Sequence, residues 1–365
     1  MTYLLAGDLG GTKTLLRLVK AESPDRSEFE YIYKSQEYSS LVSIAQEFLA
    51  AARTKLGSKI EVQAACLAIA GAVIDRSSYL PNLDWHISAD ELQHQLKIPQ
   101  IELINDFAAV GYGISLLQQQ DLYTIQTGQI RANAPKAIIG AGTGLGEGLL
   151  IHNGTEYQVI PTEGGHTDFA PRSIQEFEFV QYVCRQQQID AVAAAAHSGL
   201  TQTTTERLNQ RISNERVVSG RGIVAIYQYL RDRSNLSENP DIASVVKLWE
   251  SQSEKLADPA AMISAMAIAK TDPLAQATMQ IFVTAYGAEA GNLALKILPY
   301  GGLYIAGGIA AKNLPLLTDG TFTAAFNDKG RVSHLLGKIP IYVILNPQVG
   351  LIGAAGQARK LGIRG

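Results

Sequence analysis

Apolar positions in the first part of the chain recur in short runs that are typical of buried strands. Residues 3–6 (YLLA) lead into the segment GDLGGTK, and the apolar run TLLRLV follows directly, which predicts strand, glycine turn, strand. Two further runs, at 62–71 (VQAACLAIAG) and 100–106 (QIELIND), predict buried parallel strands. Before them, SIAQEFLAAARTKLG has helical apolar spacing and ends at Gly57, a C-capping residue. This part of the chain therefore predicts an α/β domain.

The second part repeats the order of the first. The segment 136–154 (KAIIGAGTGLGEGLLIHNG) again predicts strand, glycine turn, strand, and its closing Asn-Gly pair predicts a hairpin. Residues 174–299 carry several helical patterns and little strand character. The run at 301–317 (GGLYIAGGIAAKNLPLL) predicts strand, Gly-Gly turn and helix. Finally, PIYVIL predicts a last strand and VGLIGAAGQARKL a closing helix.

The length of 365 residues exceeds what one hydrophobic core usually supports, so two domains are expected. We predict a small α/β domain formed by residues 1–112 plus about 345–365, and a large α/β domain formed by residues 113–344. No linker rich in Pro, Ser or Gly separates them.

Composition narrows the range of partners. The net charge of −3 and the absence of a Lys/Arg run disfavour nucleic acid and anionic membranes, so a small molecule is the expected partner. The sequence shows neither a basic secretory leader nor an apolar run long enough for a membrane span, and we expect a cytoplasmic protein. The two cysteines, Cys66 and Cys184, are expected to be reduced thiols.

The glycine clusters point to phosphate binding, but two common signatures fail. No G-x-x-x-x-G-K-[ST] string is present. Gly11 and Gly146 are each followed by a strand pattern, whereas a dinucleotide fingerprint requires a helix at that point. What remains is a pair of hairpin turns whose backbone N–H groups, with the hydroxyls of Thr12 and Thr143, face a phosphate chain. Either cluster alone is more often a structural turn than a binding site.

Seven motifs, in the same order, resemble the bacterial-type glucokinase family of the sugar kinase, actin and heat-shock ATPase superfamily. They are LAGDLGGTKTLLRLV, ELINDFAAVGYG, IGAGTGLGEG, PTEGGHTDFAP, ERVVSGRG, LYIAGGIAAK and AAFNDKGR, and they extend over essentially the whole chain. The resemblance implies a two-domain actin-like ATPase (ribonuclease H-like) α/β fold with a cleft between a small and a larger domain. It also implies a homodimer that phosphorylates glucose with ATP.

The same resemblance implies the nucleotide site. Two phosphate-binding hairpins would hold ATP, and the segment 306–309 would lie against the adenosine. Asp8 would organise the Mg²⁺ carried by ATP, through water, because Mg²⁺ keeps much of its hydration. The residues implied as ATP ligands are Asp8, Gly10, Gly11, Thr12, Gly142, Thr143, Gly144, Gly307 and Gly308.

The resemblance also implies the sugar site and the reaction. Asp106 would be the general base that takes a proton from the sugar hydroxyl, in a cleft that closes when sugar binds. Asn105, Glu163, His166 and Glu215 would hydrogen-bond the sugar hydroxyls. From position alone, Asp106 could equally cap the helix that follows it.

Several alternatives remain at this stage. A lone histidine such as His166 could suggest zinc, but the cysteine cluster of the zinc-bearing sugar kinases is missing, so we expect Mg²⁺ and no zinc. A kinase of mannose or of an N-acetylated amino sugar is the nearest competing function. A sugar-sensing regulator is disfavoured because the first strand begins near residue 3, and an actin-like ATPase because the sugar residues would have no shared role.

Overall fold

The computed structural model describes residues 2–57, 60–198, 211–251 and 258–364. The chain folds into two compact units. The first contains residues 1–123, 148–161 and 344–365, and the second contains residues 124–147 and 162–343. The C-terminal segment therefore returns to the unit in which the chain begins.

Thirteen strands are present in the described residues. They are β1 Thr2–Leu9, β2 Lys13–Lys20, β3 Ser23–Lys34, β4 Glu61–Ile69, β5 Ser77–Leu80, β6 Trp85–Ser88, β7 Gln100–Asn105, β8 Leu122–Gln126, β9 Lys136–Ala141, β10 Leu145–His152, β11 Tyr157–Thr162, β12 Leu303–Ala306 and β13 Ile341–Ile344. They form a five-stranded sheet of order β3-β2-β1-β4-β7, a six-stranded sheet of order β11-β10-β9-β12-β13-β8, and the hairpin β5-β6.

The described residues also contain thirteen α-helices. They are α1 Leu41–Leu56, α2 Ala89–Leu96, α3 Asp106–Ile114, α4 Ile174–Ser198, α5 Gly220–Arg233, α6 Pro240–Glu250, α7 Pro259–Ala269, α8 Pro273–Ile297, α9 Gly308–Lys312, α10 Leu314–Leu317, α11 Thr321–Asn327, α12 Ser333–Leu336 and α13 Val349–Arg364. None of the helices in this part of the chain is long and apolar enough to cross a membrane.

In the first sheet, the strand directions position the functional edge. β1 pairs antiparallel with β2 and parallel with β4, and β4 pairs parallel with β7. Apolar side chains cover both faces of this sheet, with Phe48 of α1 packed in the core on one face and Ala354 of α13 in the core on the other. Parallel strands that are covered on both faces of the sheet have continuous apolar runs in their sequences, so β4 and β7 can be predicted from the sequence.

Within the described residues the predicted strands, helices and glycine hairpins are confirmed, and residues 199–210 and 252–257 of the predicted helical stretch 174–299 lie outside them. The helix α1 ends at Gly57, whose φ of 106° suits only glycine, and Gly154 closes a hairpin with a φ of 103°. The sequence patterns missed β3, the hairpin β5-β6 and β8. β3 (SPDRSEFEYIYK) is an edge strand rich in charged residues, so it lacks the apolar run that marks the central strands.

Candidate functional site

The carboxyl ends of three parallel strands coincide at one edge of the first sheet. Leu9 of β1 is in register with Ile69 of β4, which is in register with Asn105 of β7. Asp8 lies one residue before this row and Asp106 one residue after it. The sequence-predicted Mg²⁺ organiser and general base therefore lie at the same edge of the sheet, two strands apart.

Asn105 starts the helix that carries Asp106. Its Oδ1 accepts hydrogen bonds from the backbone N–H groups of Phe107 at 2.9 Å and Ala108 at 3.1 Å, and its Nδ2 donates to the carbonyl oxygen of Gly71 at 3.1 Å. The N-cap of α3 is thus Asn105, and Asp106 is the first helical residue. The alternative interpretation of Asp106 as the cap is wrong, and the capping role of Asn105 was missed.

The Asp106 carboxyl is held at a helix N-terminus beside a second acidic group. Its Oδ1 accepts a hydrogen bond from the backbone N–H of Phe107 at 2.8 Å. Partial burial raises the pKa of Asp106, and the charge of Asp8 raises it further, while hydrogen bonds from Phe107 and Asn105 act in the opposite direction. A carboxyl whose pKa lies above its usual range is better matched to proton transfer near neutral pH.

Asp8 lies in a similar environment. Its carboxyl reaches solvent at the end of β1, but the surrounding protein removes part of its hydration and raises its pKa. Within the described residues, no group of three or more His, Cys, Asp or Glu side chains could hold a metal ion. Mg²⁺ that binds together with a nucleotide needs only one or two protein carboxylates.

The first glycine turn is fixed by a serine that sequence reasoning missed. The backbone N–H of Gly10 donates to the Lys13 carbonyl at 2.9 Å. The buried Ser35 donates its hydroxyl to the carbonyl of Gly10 at 2.9 Å and its backbone N–H to the carbonyl of Thr12 at 3.0 Å. Thr12 itself is exposed, and a Cβ at Gly11 would lie 3.3 Å from the Asn82 side chain.

The second glycine turn lies against the start of a helix. The backbone N–H of Gly142 donates to the Gly144 carbonyl, and that of Gly220 donates to the Gly142 carbonyl, both at 2.8 Å. The N-cap Ser219 of α5 accepts from the Gly222 N–H at 3.0 Å. These bonds fix the turn against the N-terminus of α5, whose helix dipole favours an anion.

A cavity of about 560 Å³ opens beside this turn within the second unit. Gly307, with a φ of 91°, packs so closely on β9 that a Cβ would overlap the Ala141 carbonyl. The volume suits a nucleoside, because small-molecule sites range from about 300 to 1,000 Å³. The described lining includes Gly142, Thr143, Gly308 and Ile309, which the sequence implicated, together with residues that were missed: Arg221, Trp249, Pro259, Ala260, Ser264, Ile268 and Asn313.

The EGGH motif forms a short 3-10 turn, Gly164–His166, against the start of β10. A Cβ at Gly165 would overlap the carbonyl of Leu145, so the backbones touch. The Nε2 of His166 lies 3.8 Å from Glu163 Oε2, and both side chains are exposed. They are therefore available to a ligand.

Glu215 belongs to the same cluster. Its Oε2 accepts from the backbone N–H of Leu145 at 3.1 Å. The neighbouring Asn214 donates from its Nδ2 to the Thr167 hydroxyl at 3.0 Å, which ties the segment of Glu215 to the EGGH turn. Of the predicted site residues, Asp8, Gly10, Gly11, Thr12, Asn105 and Asp106 lie in the first unit, and Gly142, Thr143, Gly144, Glu163, His166, Glu215, Gly307 and Gly308 lie in the second.

The two cysteines do not take part in either group. Cys66 and Cys184 are free thiols. Cys66 is fully buried in β4, and burial raises its pKa well above the usual range, so the thiolate is disfavoured.

Comparison with known proteins gives consistent matches over the whole chain. The sequence model of the family described as "Glucokinase" matches residues 5–196 and 189–361. A glucokinase of Nostoc punctiforme is 52% identical, covering 99% of this chain and 100% of the relative. A glucokinase of a Synechocystis species is 46% identical, covering 96% of each chain.

Solved structures agree in fold. A glucokinase from an Antarctic psychrotroph superposes with a TM-score of 0.74 at 25% identity, covering 98% of this chain and 99% of that one. A Balamuthia mandrillaris glucokinase, solved in complex with glucose, gives a TM-score of 0.75 at 22% identity, covering 98% and 94%. The chain has the mixed α/β, two-domain actin-like ATPase fold that the motifs implied.

Proposed function

Because this chain belongs to the glucokinase family, we propose that Asp106 is the general base that activates glucose for phosphoryl transfer. The enzyme is a glucokinase that converts ATP and glucose into ADP and glucose 6-phosphate. The identity of 52% to a glucokinase over nearly the full length is the observation that carries this function. The residue roles below are our proposals.

The hydrogen bonds around Asp106 support its role as the base. Oδ1 is occupied by the Phe107 N–H, so Oδ2 is the oxygen that would accept the proton of the glucose 6-hydroxyl. Asn105 fixes the start of α3 and thereby the backbone of Asp106. A base that is oriented before substrate arrives loses little entropy in the reaction, which favours transfer to sugar over hydrolysis by water.

Four side chains are proposed to recognise the sugar. Asn105 would donate an amide N–H to a hydroxyl from the first unit. Glu163 and His166 would contact hydroxyls from the EGGH turn, and Glu215 would add a carboxylate oxygen beside them. Such a set selects a hydroxyl pattern because a sugar lacking one hydroxyl would leave a desolvated partner unpaired.

ATP is proposed to bind through both glycine turns. The glycine turns Gly10–Thr12 and Gly142–Gly144 would let the main chain approach the phosphates closely, and the adenosine would occupy the cavity that Gly308 helps to line. Mg²⁺ would sit near Asp8, where an oxygen ligand with a raised pKa gains from a cation, and it would neutralise charge on the transferring phosphate. We also propose a homodimer in the cytoplasm that supplies glucose 6-phosphate to glycolysis.

A panel of hexoses tests the proposed substrate. The purified enzyme is incubated with ATP, Mg²⁺ and glucose, mannose, fructose or N-acetylglucosamine, and both ADP and the sugar phosphate are measured. We expect glucose to give the highest kcat/KM and glucose 6-phosphate to match ADP one to one. A higher kcat/KM for another hexose, or ADP release at the same rate without sugar, would refute the assignment.

A further inference from the structure

Two carboxyl groups are buried directly behind the EGGH turn. Glu147 of β10 is 2% exposed and Glu289 of α8 is 4% exposed. The two carboxyl groups are close enough for the charge of Glu289 to act on Glu147, and Glu147 Oε1 has no hydrogen-bond partner among the described residues. Two carboxyl groups this close in a buried site favour a proton on one of them, because like charges there repel.

Glu147 touches the backbone of the turn itself. A Cβ built on Gly164 would overlap Glu147 Oε2, so the carboxyl lies against the main chain between Glu163 and Gly165. The Thr162 hydroxyl donates to the Glu147 carbonyl at 3.1 Å and accepts from the Gly164 N–H at 3.2 Å. The position of the turn therefore depends on the position of Glu147.

Glu289 is held in turn by residues that the proposed reaction does not use. Asn292 Nδ2 donates to Glu289 Oε2 at 2.9 Å. Lys329, in the AAFNDKGR motif, donates from Nζ to Asn292 Oδ1 at 2.7 Å and to the Ala288 carbonyl at 3.0 Å. A partly buried hydrogen-bonded chain thus runs from Lys329 through Asn292 to Glu289, which lies beside Glu147.

We propose that Glu147 is a positioning residue for glucose binding. With support from Glu289, its side chain holds the turn that carries Glu163 and His166 in its sugar-binding position. This inference rests on the proposed sugar contacts of that turn. Lys329 of the AAFNDKGR motif would then stabilise the position of Glu289 through Asn292.

The charges around the pair make this support sensitive to pH. Burial and the neighbouring Glu289 raise the pKa of Glu147 to about 7, although the positive charge of Lys296 acts to lower it. Burial raises the pKa of Glu289 too, and the nearby charges of Lys296 and Lys329 oppose this. Tyr286 also faces Glu147 and stays protonated, because burial raises its pKa as well. Glu163 and His166 flank the contact from the turn.

Loss of the Glu147 proton would weaken the support. Below pH 7 Glu147 retains its proton, so the two carboxyl groups do not both carry a charge. As the pH rises through the pKa of Glu147, two buried carboxylates face each other and repel, because like charges in a poorly solvated site cannot both ionise without cost. We therefore expect the KM for glucose to rise as the pH passes from 6 to 8.

Three variants and a control test the proposal. Glu147→Gln keeps the shape and a neutral hydrogen-bonding group, Glu147→Ala removes the contact, and Glu289→Gln removes the second acid. Glu238→Gln is the matched control, since Glu238 is a half-buried carboxylate of the second unit that bonds Tyr227 instead. Glucose KM, ATP KM and kcat are measured from pH 5.5 to 8.5.

For Glu147→Ala we expect a glucose KM about tenfold higher at pH 6, with a much smaller change in kcat, as for lost binding of the substrate. Glu147→Gln and Glu289→Gln should keep the wild-type KM at pH 6 and lose its rise above pH 7. Glu238→Gln should follow the wild type throughout. If Glu147→Ala does not fold, the Glu147→Gln pH profile still decides.

The inference is overturned if Glu147→Gln shows the same pH dependence of glucose KM as the wild type, or if folded Glu147→Ala binds glucose normally. Glu163→Gln separates this failure from failure of the proposed function. A raised glucose KM in Glu163→Gln with no effect at Glu147 refutes the positioning role alone. No effect in Glu163→Gln refutes the sugar contacts on which both rest.

Discussion

At Asn105, a single side chain serves both a helix and the proposed sugar site. Its Oδ1 caps α3 through two backbone N–H groups, and its amide lies beside Asp106. Asn105→Ser should keep the cap, because serine is also a good N-cap residue, while it removes the amide that would bind sugar. We expect near wild-type stability and a raised glucose KM for Asn105→Ser, measured by thermal unfolding and by steady-state kinetics.

Asn105→Ala provides the comparison, since it removes the cap as well. Its free energy of unfolding should fall by about 1 kcal/mol, the usual cost of losing an N-cap. If Asn105→Ser matched the wild type in glucose KM, Asn105 would be a capping residue only.

The acid pair at Glu147 also predicts how stability depends on pH. The pKa of Glu147 is raised to about 7 in the folded protein, so between its ordinary value near 4.5 and 7 the folded state holds more protons than the unfolded state. The contribution of this group to the free energy of unfolding therefore falls as pH rises through that window. Denaturant unfolding at pH 5 and 7.5 should show a larger loss for the wild type than for Glu147→Gln. Equal losses would contradict a raised pKa at Glu147.

At the scale of elements, the position of Asp106 depends on how closely α3 packs on α13. A Cβ at Gly353 of α13 would overlap the carbonyl oxygen of Ala109, whereas a Cβ at Gly350 would lie 3.8 Å from Val110, an ordinary contact. Gly353→Ala should destabilise the protein by about 1–3 kcal/mol through overpacking and lower activity. Gly350→Ala, on the same helix, should be neutral or slightly stabilising, because alanine favours a helix. Thermal unfolding of both variants checks this, and equal melting temperatures would rule out the close contact.

Elements that are buried were visible in the sequence, and contacts distant in sequence were not. The apolar runs of β4 and β7 and the turn GDLGGTK predict strands and hairpin directly. Ser35 was missed because its bonds reach Gly10 across two strands, and nothing local marks them. The pair of Glu147 and Glu289 was missed for the same reason, since only the fold brings these two carboxyl groups close to each other. The motifs therefore identify the side chains proposed to meet substrate, and the structure adds those that support them.

At the scale of the whole molecule, the proposed ligands of glucose belong to both compact units. Asn105 and Asp106 lie in the first, and Glu163, His166 and Glu215 lie in the second. If these residues act together in phosphoryl transfer to glucose, ATP hydrolysis without sugar should be very slow, because no bound sugar accepts the phosphoryl group. ADP release measured with and without glucose checks this, and brisk sugar-independent hydrolysis would contradict it.

The most direct test of the proposed mechanism is the turnover of Asp106→Asn with glucose and ATP. Asp90→Asn, an exposed carboxylate of the same unit paired with Arg76, serves as the control. If Asp106 is the general base, kcat should fall by about 10²–10⁴ while the fold and the ATP KM are retained, and Asp90→Asn should keep wild-type turnover. An Asp106→Asn enzyme that phosphorylates glucose at nearly the wild-type rate would contradict the account.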